Sequence, residues 1–352
     1  MFLTHRCVAI LSVVVTGLAV PGCSRSPQVR GAQSLEEGKK EFQRKEYARA
    51  IIHFRNAAQA MPRDAEPYYQ LGLAFLATED ITIAASCFHK AAELNPQHIG
   101  AQLKLAEMMS MSASKEMLDE AQKRSQQVLK LQPGDAEALN VLAFTELRLG
   151  KPGNAEAHLE QALQNSPNHL KSSVNLAKAR LMRGDAKGAE EVLKQSAAHA
   201  SSPDPAVYLG KFYEAVGRTP DAEQQLRRAL QVDPKHGPAL HALGAMQVRA
   251  GQQQQADETY KQLAALPEKR YKAIHALFLF QSGKRDEAVA EFEEIARADP
   301  NDRDFRTLLV RVYLVVERVA DAESILTTAL RKNSRDLDAL FPGGDHTVVE
   351  VE

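Results

Sequence analysis

The stretch AEPYYQLGLAFLATEDITIAASCFHKAAELNP, residues 65–96, decides the fold of this chain. Its apolar and small residues recur at helical spacing and would form facing stripes on two antiparallel helices. The stripes consist of Tyr68, Leu71, Phe75, Phe88, Ala91 and Ala92. Pro96 closes the stretch, because proline cannot continue a helix through its interior. These residues predict one helical hairpin.

The same pattern returns along almost the whole chain. An alanine recurs at intervals of 32 to 37 residues, and most of these alanines follow a small residue and precede a proline, each twelve positions away. The alanines are Ala50, Ala84, Ala121, Ala155, Ala189, Ala222, Ala256, Ala288 and Ala322. A period of this length indicates a helical repeat array, in which stacked hairpins share one core because none can bury its apolar face alone.

This pattern resembles the tetratricopeptide repeat (TPR). The residues that carry the resemblance in the clearest unit are Tyr68, Leu71, Gly72, Phe75, Ala84, Phe88, Ala91 and Pro96, and a later unit repeats most of them from Ala206 to Pro234. We therefore predict an all-α fold, a TPR-type α–α superhelical solenoid of about nine helix-turn-helix repeats spanning residues 34–336. The resemblance implies a groove lined by the first helix of each repeat.

Four units depart from the pattern, the third, fifth, eighth and ninth. The third carries three extra residues between Met109 and Leu118, which predicts a longer turn between its helices. The eighth has Lys272 and His275 at positions that are usually bulky and apolar. Residues 337–352 continue the array poorly and are predicted to be a short non-repeat tail.

The amino terminus is predicted to be a targeting segment. Residues 1–22 have a short positive start and an apolar run too short for a membrane span. The run ends in Val20-Pro21-Gly22-Cys23, which resembles a bacterial lipoprotein signal, although Pro21 departs from the favoured residues. The resemblance implies lipid on Cys23, a flexible tether over 23–33, and an outer-membrane location facing the periplasm. An ordinary secretory signal and an uncleaved anchor are the alternatives.

The sequence lacks the patterns that carry common enzyme chemistry. It contains no HExxH, CxxC pair or phosphate-binding glycine loop, so we predict no enzyme activity, no cofactor and no metal site. The histidines are scattered, and His236 and His241 are interpreted as solvated. Cys87 is interpreted as a small hydrophobic residue on a helix. With a net charge of −1 and cations in every unit, the chain is not expected to bind nucleic acid.

A partner-binding groove is predicted from the family's groove positions. Carried over unit by unit, these positions mix aromatic, apolar and basic side chains, which suits an extended peptide or an acidic, amphipathic protein partner. The known carboxylate clamp of chaperone-binding repeats is absent. The groove residues are Tyr69, Leu73, Asn140, Phe144, Arg148, Asn175, Lys178, Met182, Tyr208, Lys211, Arg249, Phe280 and Arg311.

The functional prediction is a membrane-anchored TPR scaffold for protein–protein interaction in an envelope assembly or export complex. The layout resembles TPR lipoproteins of exopolysaccharide export, including those linked to the PEP-CTERM/exosortase system. One alternative is an assembly factor for outer-membrane proteins or for a pilus or secretin. A further alternative is the binding part of a glycosyltransferase system. The sequence leaves the partner and the oligomeric state open.

Overall fold

A computed structural model describes residues 26–198, 200–334 and 336. Within them every regular element is helical, with eighteen α-helices and one 3-10 helix, Lys269–Tyr271, between α14 and α15. The α-helices in chain order are α1 Pro27–Gln43, α2 Tyr47–Ala60, α3 Ala65–Ala77, α4 Ile81–Leu94, α5 Ile99–Ser110, α6 Lys115–Leu131, α7 Ala136–Arg148, α8 Pro152–Asn165, α9 Leu170–Met182, α10 Ala186–Ala198, α11 Asp204–Ala215, α12 Thr219–Val232, α13 Gly237–Arg249, α14 Gln253–Ala264, α15 Ile274–Gln281, α16 Arg285–Ala298, α17 Arg303–Val315 and α18 Val319–Lys332.

Consecutive helices pair into nine hairpins, from α1 with α2 to α17 with α18. We call the first helix of each hairpin helix A and the second helix B. Asp64, Asp135 and Asp302 precede three of the A helices, and their carboxylates accept backbone N–H groups of the first turn. The predicted all-α solenoid of nine helical hairpins is confirmed over the described residues.

The repeating alanines lie at the centre of the hairpins. Eight of the nine are completely buried and Ala322 is 1% exposed. The small residues of the A helices explain how closely the paired helices approach. A Cβ atom at Gly72 would lie 2.6 Å from the ring of Phe88, and one at Gly244 would lie 2.8 Å from the ring of Tyr260. A large side chain on helix B therefore occupies the space that the small residue on helix A leaves empty.

Eight of the nine turns from helix A to helix B contain a residue with a left-handed backbone conformation. In five of them a glycine supplies it, with φ between 72° and 83°. These glycines are Gly150, Gly184, Gly217, Gly251 and Gly283. Lys45, Glu79 and Glu317 hold the corresponding place in three other hairpins, with φ between 61° and 65°. Left-handed backbone is unfavourable for residues with a Cβ atom, so these three turns carry strain.

The hairpins form two compact blocks, residues 1–133 and residues 134–352. Within the described residues, block 1 contains α1 to α6 around a core that includes Phe54 and Phe88. Its third hairpin has the predicted longer turn, since the turn between α5 and α6 is one residue longer than that between α3 and α4. Helix α6 is also longer, with 17 residues against 14 in α4, while α5 is one residue shorter than α3.

Block 2 contains α7 to α18. It includes the eighth hairpin of the chain, α15 with α16, which is irregular. The 3-10 helix replaces the first turn of its helix A, so α15 has eight residues while α13 and α17 have thirteen. At the end of the ninth hairpin, Asp336 is buried and forms an ion pair with Arg306, whose nitrogen lies 2.9 Å from the carboxylate. This contact connects Asp336 to α17.

The predicted flexible tether is wrong over residues 27–33. Helix α1 begins at Pro27, and the hydroxyl of Ser26 accepts the N–H of Val29 at its start. Proline in the first turn favours this start, because its missing N–H has no partner to lose there. The predicted signal, Cys23 and the tail 337–352 lie outside the described residues. Among the helices that are described, none is both long and apolar enough to cross a membrane.

Candidate partner-binding surface

The structure places every predicted groove residue on a helix A. Tyr69 and Leu73 lie on α3 in block 1, and the remaining eleven lie in block 2, on α7, α9, α11, α13, α15 and α17. We call the block 2 residues the A-helix strip; its members are Asn140, Phe144, Arg148, Asn175, Lys178, Met182, Tyr208, Lys211, Arg249, Phe280 and Arg311. Helices α7 and α9 contact each other, as do α11 and α13, so the strip is continuous across each pair.

Side chains of α7 and α9 meet directly. The Nδ2 atom of Asn175 donates a hydrogen bond of 2.8 Å to Oδ1 of Asn140. The Nζ atom of Lys178 lies 5.6 Å from the centroid of the Phe144 ring, a cation–π distance. Asn140 is buried, whereas Lys178 is exposed. Lys178 and the edge of Phe144 are therefore the parts of this pair that a partner can reach.

Side chains of α11 and α13 form a second group. Tyr208 is 39% exposed, and the Nζ atom of Lys211 lies 5.9 Å from its ring centroid. Burial, together with the positive charge of Lys211, lowers the pKa of His241 on the neighbouring helix. Arg249 forms an ion pair with Glu214. This part of the strip thus combines the accessible ring of Tyr208 with Lys211, whose charge acts electrostatically on His241 of the next hairpin.

The remaining strip residues are more separate. Arg148 and Met182 are exposed at the carboxyl ends of α7 and α9. Phe280 is half-buried, and the guanidinium of Arg285 lies 5.9 Å from its ring centroid. Arg311 is half-buried on α17. These four residues extend the predicted surface beyond the two groups described above.

The two block 1 residues take part in packing. The ring of Tyr69 is half-buried between the ring of Phe88, 5.9 Å away, and that of His98, 4.7 Å away. A Cβ atom at Gly100 would lie 2.6 Å from the Tyr69 ring, so the next hairpin fits closely around it. Leu73 packs against the block 1 core. Both side chains are engaged within the array before any partner binds.

Sequence reasoning missed a set of histidines that join consecutive hairpins. Each stands directly before a helix A, and its Nε2 atom lies 3.0 to 3.1 Å from a carboxylate of the preceding helix A. Their side chains are only 13 to 22% exposed. The pairs are His98 with Glu66, His169 with Glu137, and His236 with Asp204.

The interpretation of His236 as solvated was wrong, because its side chain is largely buried against Asp204. Two of the histidines also lower the pKa of the carboxylate that they contact. The hydrogen bond from His98 lowers the pKa of Glu66 to about 2, against burial that would raise it. The bond from His169 does the same for Glu137. Since Nδ1 of His98 accepts the N–H of Ala101 at 3.1 Å, its Nε2 carries the proton that Glu66 accepts. The motif Pro-x-His at 96–98, 167–169 and 234–236 was the available signal.

A methionine-lined cleft lies in block 1, away from the groove residues. Its volume is about 610 Å³, and Met108, Met109 and Met117 line it together with His89 and Leu105. Cys87 on α4 is half-buried, and burial raises the pKa of its thiol, as expected for a small hydrophobic residue. In the part of the chain that the structure describes, no group of three His, Cys, Asp or Glu residues could hold a metal ion.

Three models of tetratricopeptide-repeat families match most of the array. The model for the TPR domain of cytochrome c-type biogenesis protein H matches residues 24–168. Two tetratricopeptide-repeat models match residues 146–211 with 279–340, and residues 203–246. A solved tetratricopeptide repeat protein from Parabacteroides merdae ATCC 43184 shares the fold with a TM-score of 0.54 at 13% identity, covering 71% of this chain and 99% of that one.

Two curated relatives are much longer than this chain. Superkiller complex protein 3 from Mus musculus is 28% identical over 167 residues, which are 46% of this chain and 10% of that protein. Cellulose synthase operon protein C from Xanthomonas axonopodis pv. citri is 30% identical over 243 residues, which are 63% of this chain and 16% of that protein. Together with the nine helical hairpins, these matches show that the chain is a tetratricopeptide-repeat protein.

Proposed function

We propose that the chain is a membrane-attached scaffold that holds a protein partner in an envelope export assembly, with exopolysaccharide export as the favoured process. The observation that carries the proposal is the A-helix strip of block 2. There, side chains of consecutive hairpins meet and leave lysines and rings accessible. A surface built from consecutive repeats suits an extended partner segment better than a small molecule.

The chemistry of the strip favours an acidic partner. Lys178 and Lys211 are both exposed, and each stands over an aromatic ring that holds its ammonium group near the surface. Glu214, an acidic neighbour of the strip, already pairs with Arg249. A partner segment with carboxylates flanking apolar residues would meet the ammonium groups and the rings of Phe144 and Tyr208 together. Charge complementarity of this kind mainly raises the association rate and the specificity.

Exopolysaccharide export is favoured by one relative. The bacterial relative is named for a cellulose synthase operon, and its similarity extends over 63% of this chain. Cytochrome c assembly is the second candidate, because residues 24–168 match the TPR domain of a cytochrome c-type biogenesis protein.

Attachment through lipid on Cys23 is part of the proposal. The correction of the tether changes its geometry, because Cys23 and the first turn of α1 at Pro27 are four positions apart. Four residues of extended chain span at most about 14 Å. The first hairpin would therefore stay close to the bilayer surface instead of moving on a long linker. Metabolic labelling with palmitate would test this, since a lipidated wild type and an unlabelled Cys23→Ser variant are expected.

Crosslinking on membranes tests the strip. The double variant Phe144→Ala/Lys178→Ala removes one ring and one cation from the contact between α7 and α9. The matched control Arg227→Ala/Val232→Ala removes two exposed side chains from α12. We expect the strip variant to lose a crosslinked protein that the wild type and the control retain. The same proteins recovered with all three chains would contradict partner binding at the strip.

Deletion of the gene tests the process. We expect loss of secreted exopolysaccharide, with normal amounts of outer-membrane proteins, pili and c-type cytochromes. Complementation with the wild type, but not with Phe144→Ala/Lys178→Ala, would connect that loss to the strip. Normal exopolysaccharide with loss of c-type cytochromes would favour the second candidate. Loss of outer-membrane proteins or pili would favour an assembly factor for those structures.

A further inference from the structure

His275 in the irregular eighth hairpin lies between two carboxylates. Its Nδ1 atom is 2.7 Å from Oε2 of Glu291 on α16, and its Nε2 atom is 3.3 Å from Oδ1 of Asp257 on α14. The imidazole side chain is 7% exposed. One ring on α15 therefore connects its own hairpin to helix B of the hairpin before it.

For both contacts to be hydrogen bonds, His275 and its two carboxylate partners must share two protons. A neutral imidazole has one N–H group and one acceptor nitrogen, so it can donate to one carboxylate while its other nitrogen faces oxygen lone pairs. Both contacts become hydrogen bonds when the ring is an imidazolium, or when one carboxyl group carries the second proton. His98 differs, because it donates from one nitrogen and accepts a backbone N–H with the other.

We infer that His275, Asp257 and Glu291 form a proton-dependent latch that holds α15 against α14 and α16. When the second proton leaves, the longer contact, to Asp257, loses its hydrogen bond and the carboxylate and ring nitrogen repel each other. The closed hairpin binds one proton more than the open one, so the hairpin opens more readily as pH rises.

The charged groups around Asp257 do not reverse the expected increase in opening with rising pH. Lys261 on α14 forms an ion pair with Asp257, and Nζ of Lys284 in the turn before α16 lies 3.9 Å from it. These cations favour the ionised form of Asp257, whose carboxylate accepts a hydrogen bond from the Nε2–H group of His275. The carboxylate of Glu287 on α16 interacts electrostatically with Lys261 and adds negative charge to the same region.

The eighth hairpin is suited to such a response. Helix α15 has eight residues and follows a 3-10 turn, so fewer backbone hydrogen bonds hold it than hold its neighbours. It also carries Phe280 of the A-helix strip. Opening of the latch would therefore change the strip at this hairpin and leave the contacts of α7 with α9 in place.

Hydrogen exchange of the full chain at pH 5.5 and pH 8.5 tests the latch. After correction for the intrinsic pH dependence of exchange, residues 274–281 are expected to open about tenfold more at the higher pH. Helix α17, which contains no histidine, serves as the internal reference. His275→Gln is expected to remove the pH dependence, while His241→Gln on α13 retains it.

Glu291→Gln gives an independent test if His275→Gln fails to fold. Its amide can donate to Nδ1 of a neutral His275, whose Nε2–H then remains available to Asp257. Both contacts are satisfied with one proton less, so residues 274–281 should stay protected at pH 8.5. Equal opening of the wild type at both pH values, relative to α17, would overturn the inference. Unchanged pH dependence in Glu291→Gln would do the same.

Discussion

Replacing Gly217 with alanine would separate the energy of a left-handed backbone from other effects of a mutation. Gly217 lies in the turn between α11 and α12 with φ of 77°. No atom lies within 4 Å of the position that a Cβ would take, so the new methyl group meets nothing. Any loss of stability must then come from the backbone conformation and from the unfolded chain.

The expected size of the effect follows from two opposing terms. A residue with a Cβ atom pays about 1 to 2 kcal/mol for the left-handed conformation. Alanine also restricts the unfolded chain, which returns about 0.5 to 1 kcal/mol. The net destabilisation should be about 0.5 to 1 kcal/mol. Glu317 occupies the corresponding turn between α17 and α18 with φ of 61°, so Glu317→Gly should stabilise that turn by a similar amount.

Local hydrogen exchange is the appropriate assay, because a repeat array need not unfold in one two-state step. In Gly217→Ala, amides of α11 and α12 should exchange about two- to fivefold faster than in the wild type. In Glu317→Gly, amides of α17 and α18 should exchange more slowly by the same factor. Gly153→Ala is the control, since that site is equally open but its φ is not positive. Unchanged exchange in Gly217→Ala, or faster exchange in Glu317→Gly, would refute the reasoning.

Three further outcomes follow from contacts already described. Gly72→Ala should destabilise block 1 by about 1 to 3 kcal/mol, measured as a lower thermal midpoint by circular dichroism, because its methyl group would overlap the ring of Phe88. His169 lowers the pKa of Glu137 from 4.5 to about 2, so this pair contributes stability above pH 4.5 that is lost as pH falls towards 2. Glu137→Gln should reduce that acid sensitivity by about 1 to 2 kcal/mol between pH 6 and pH 3 in urea melts, after allowance for solvent screening. The thiol of Cys87 should react with iodoacetamide at pH 7.5 more slowly than free cysteine, because burial raises its pKa; equal rates by mass spectrometry would contradict this.

Features set by spacing within one repeat could be predicted. The alanine ladder located the centres of the hairpins, since each alanine contacts residues of its own hairpin and recurs with the period of the chain. The pairing of Gly72 with Phe88 was likewise predictable, because both belong to one unit. The longer turn of the third hairpin was predicted correctly, but the lengthening of α6 was not predicted. Helix and turn residues there differ little in composition, so spacing could not distinguish the two.

The candidate surface was predictable only in part. The family positions identified residues on the A helices, and the structure brings Phe144 and Lys178 together. They did not show that Tyr69 is held between Phe88 and His98, because its environment depends on the following hairpin. The role of the histidines before the A helices was missed for the same reason.

The repeat period, the helical class and the buried residue types were determined by the sequence itself, because a local apolar pattern specifies which face of a helix must leave water. The partners of the polar residues were decided by tertiary structure alone. His275 appeared in the sequence as an unsuitable residue for a core position, and its two carboxylate partners stand 18 residues before and 16 residues after it. Charged and polar side chains reach several positions at similar cost, so the stacking of one hairpin on the next decides which contacts they make.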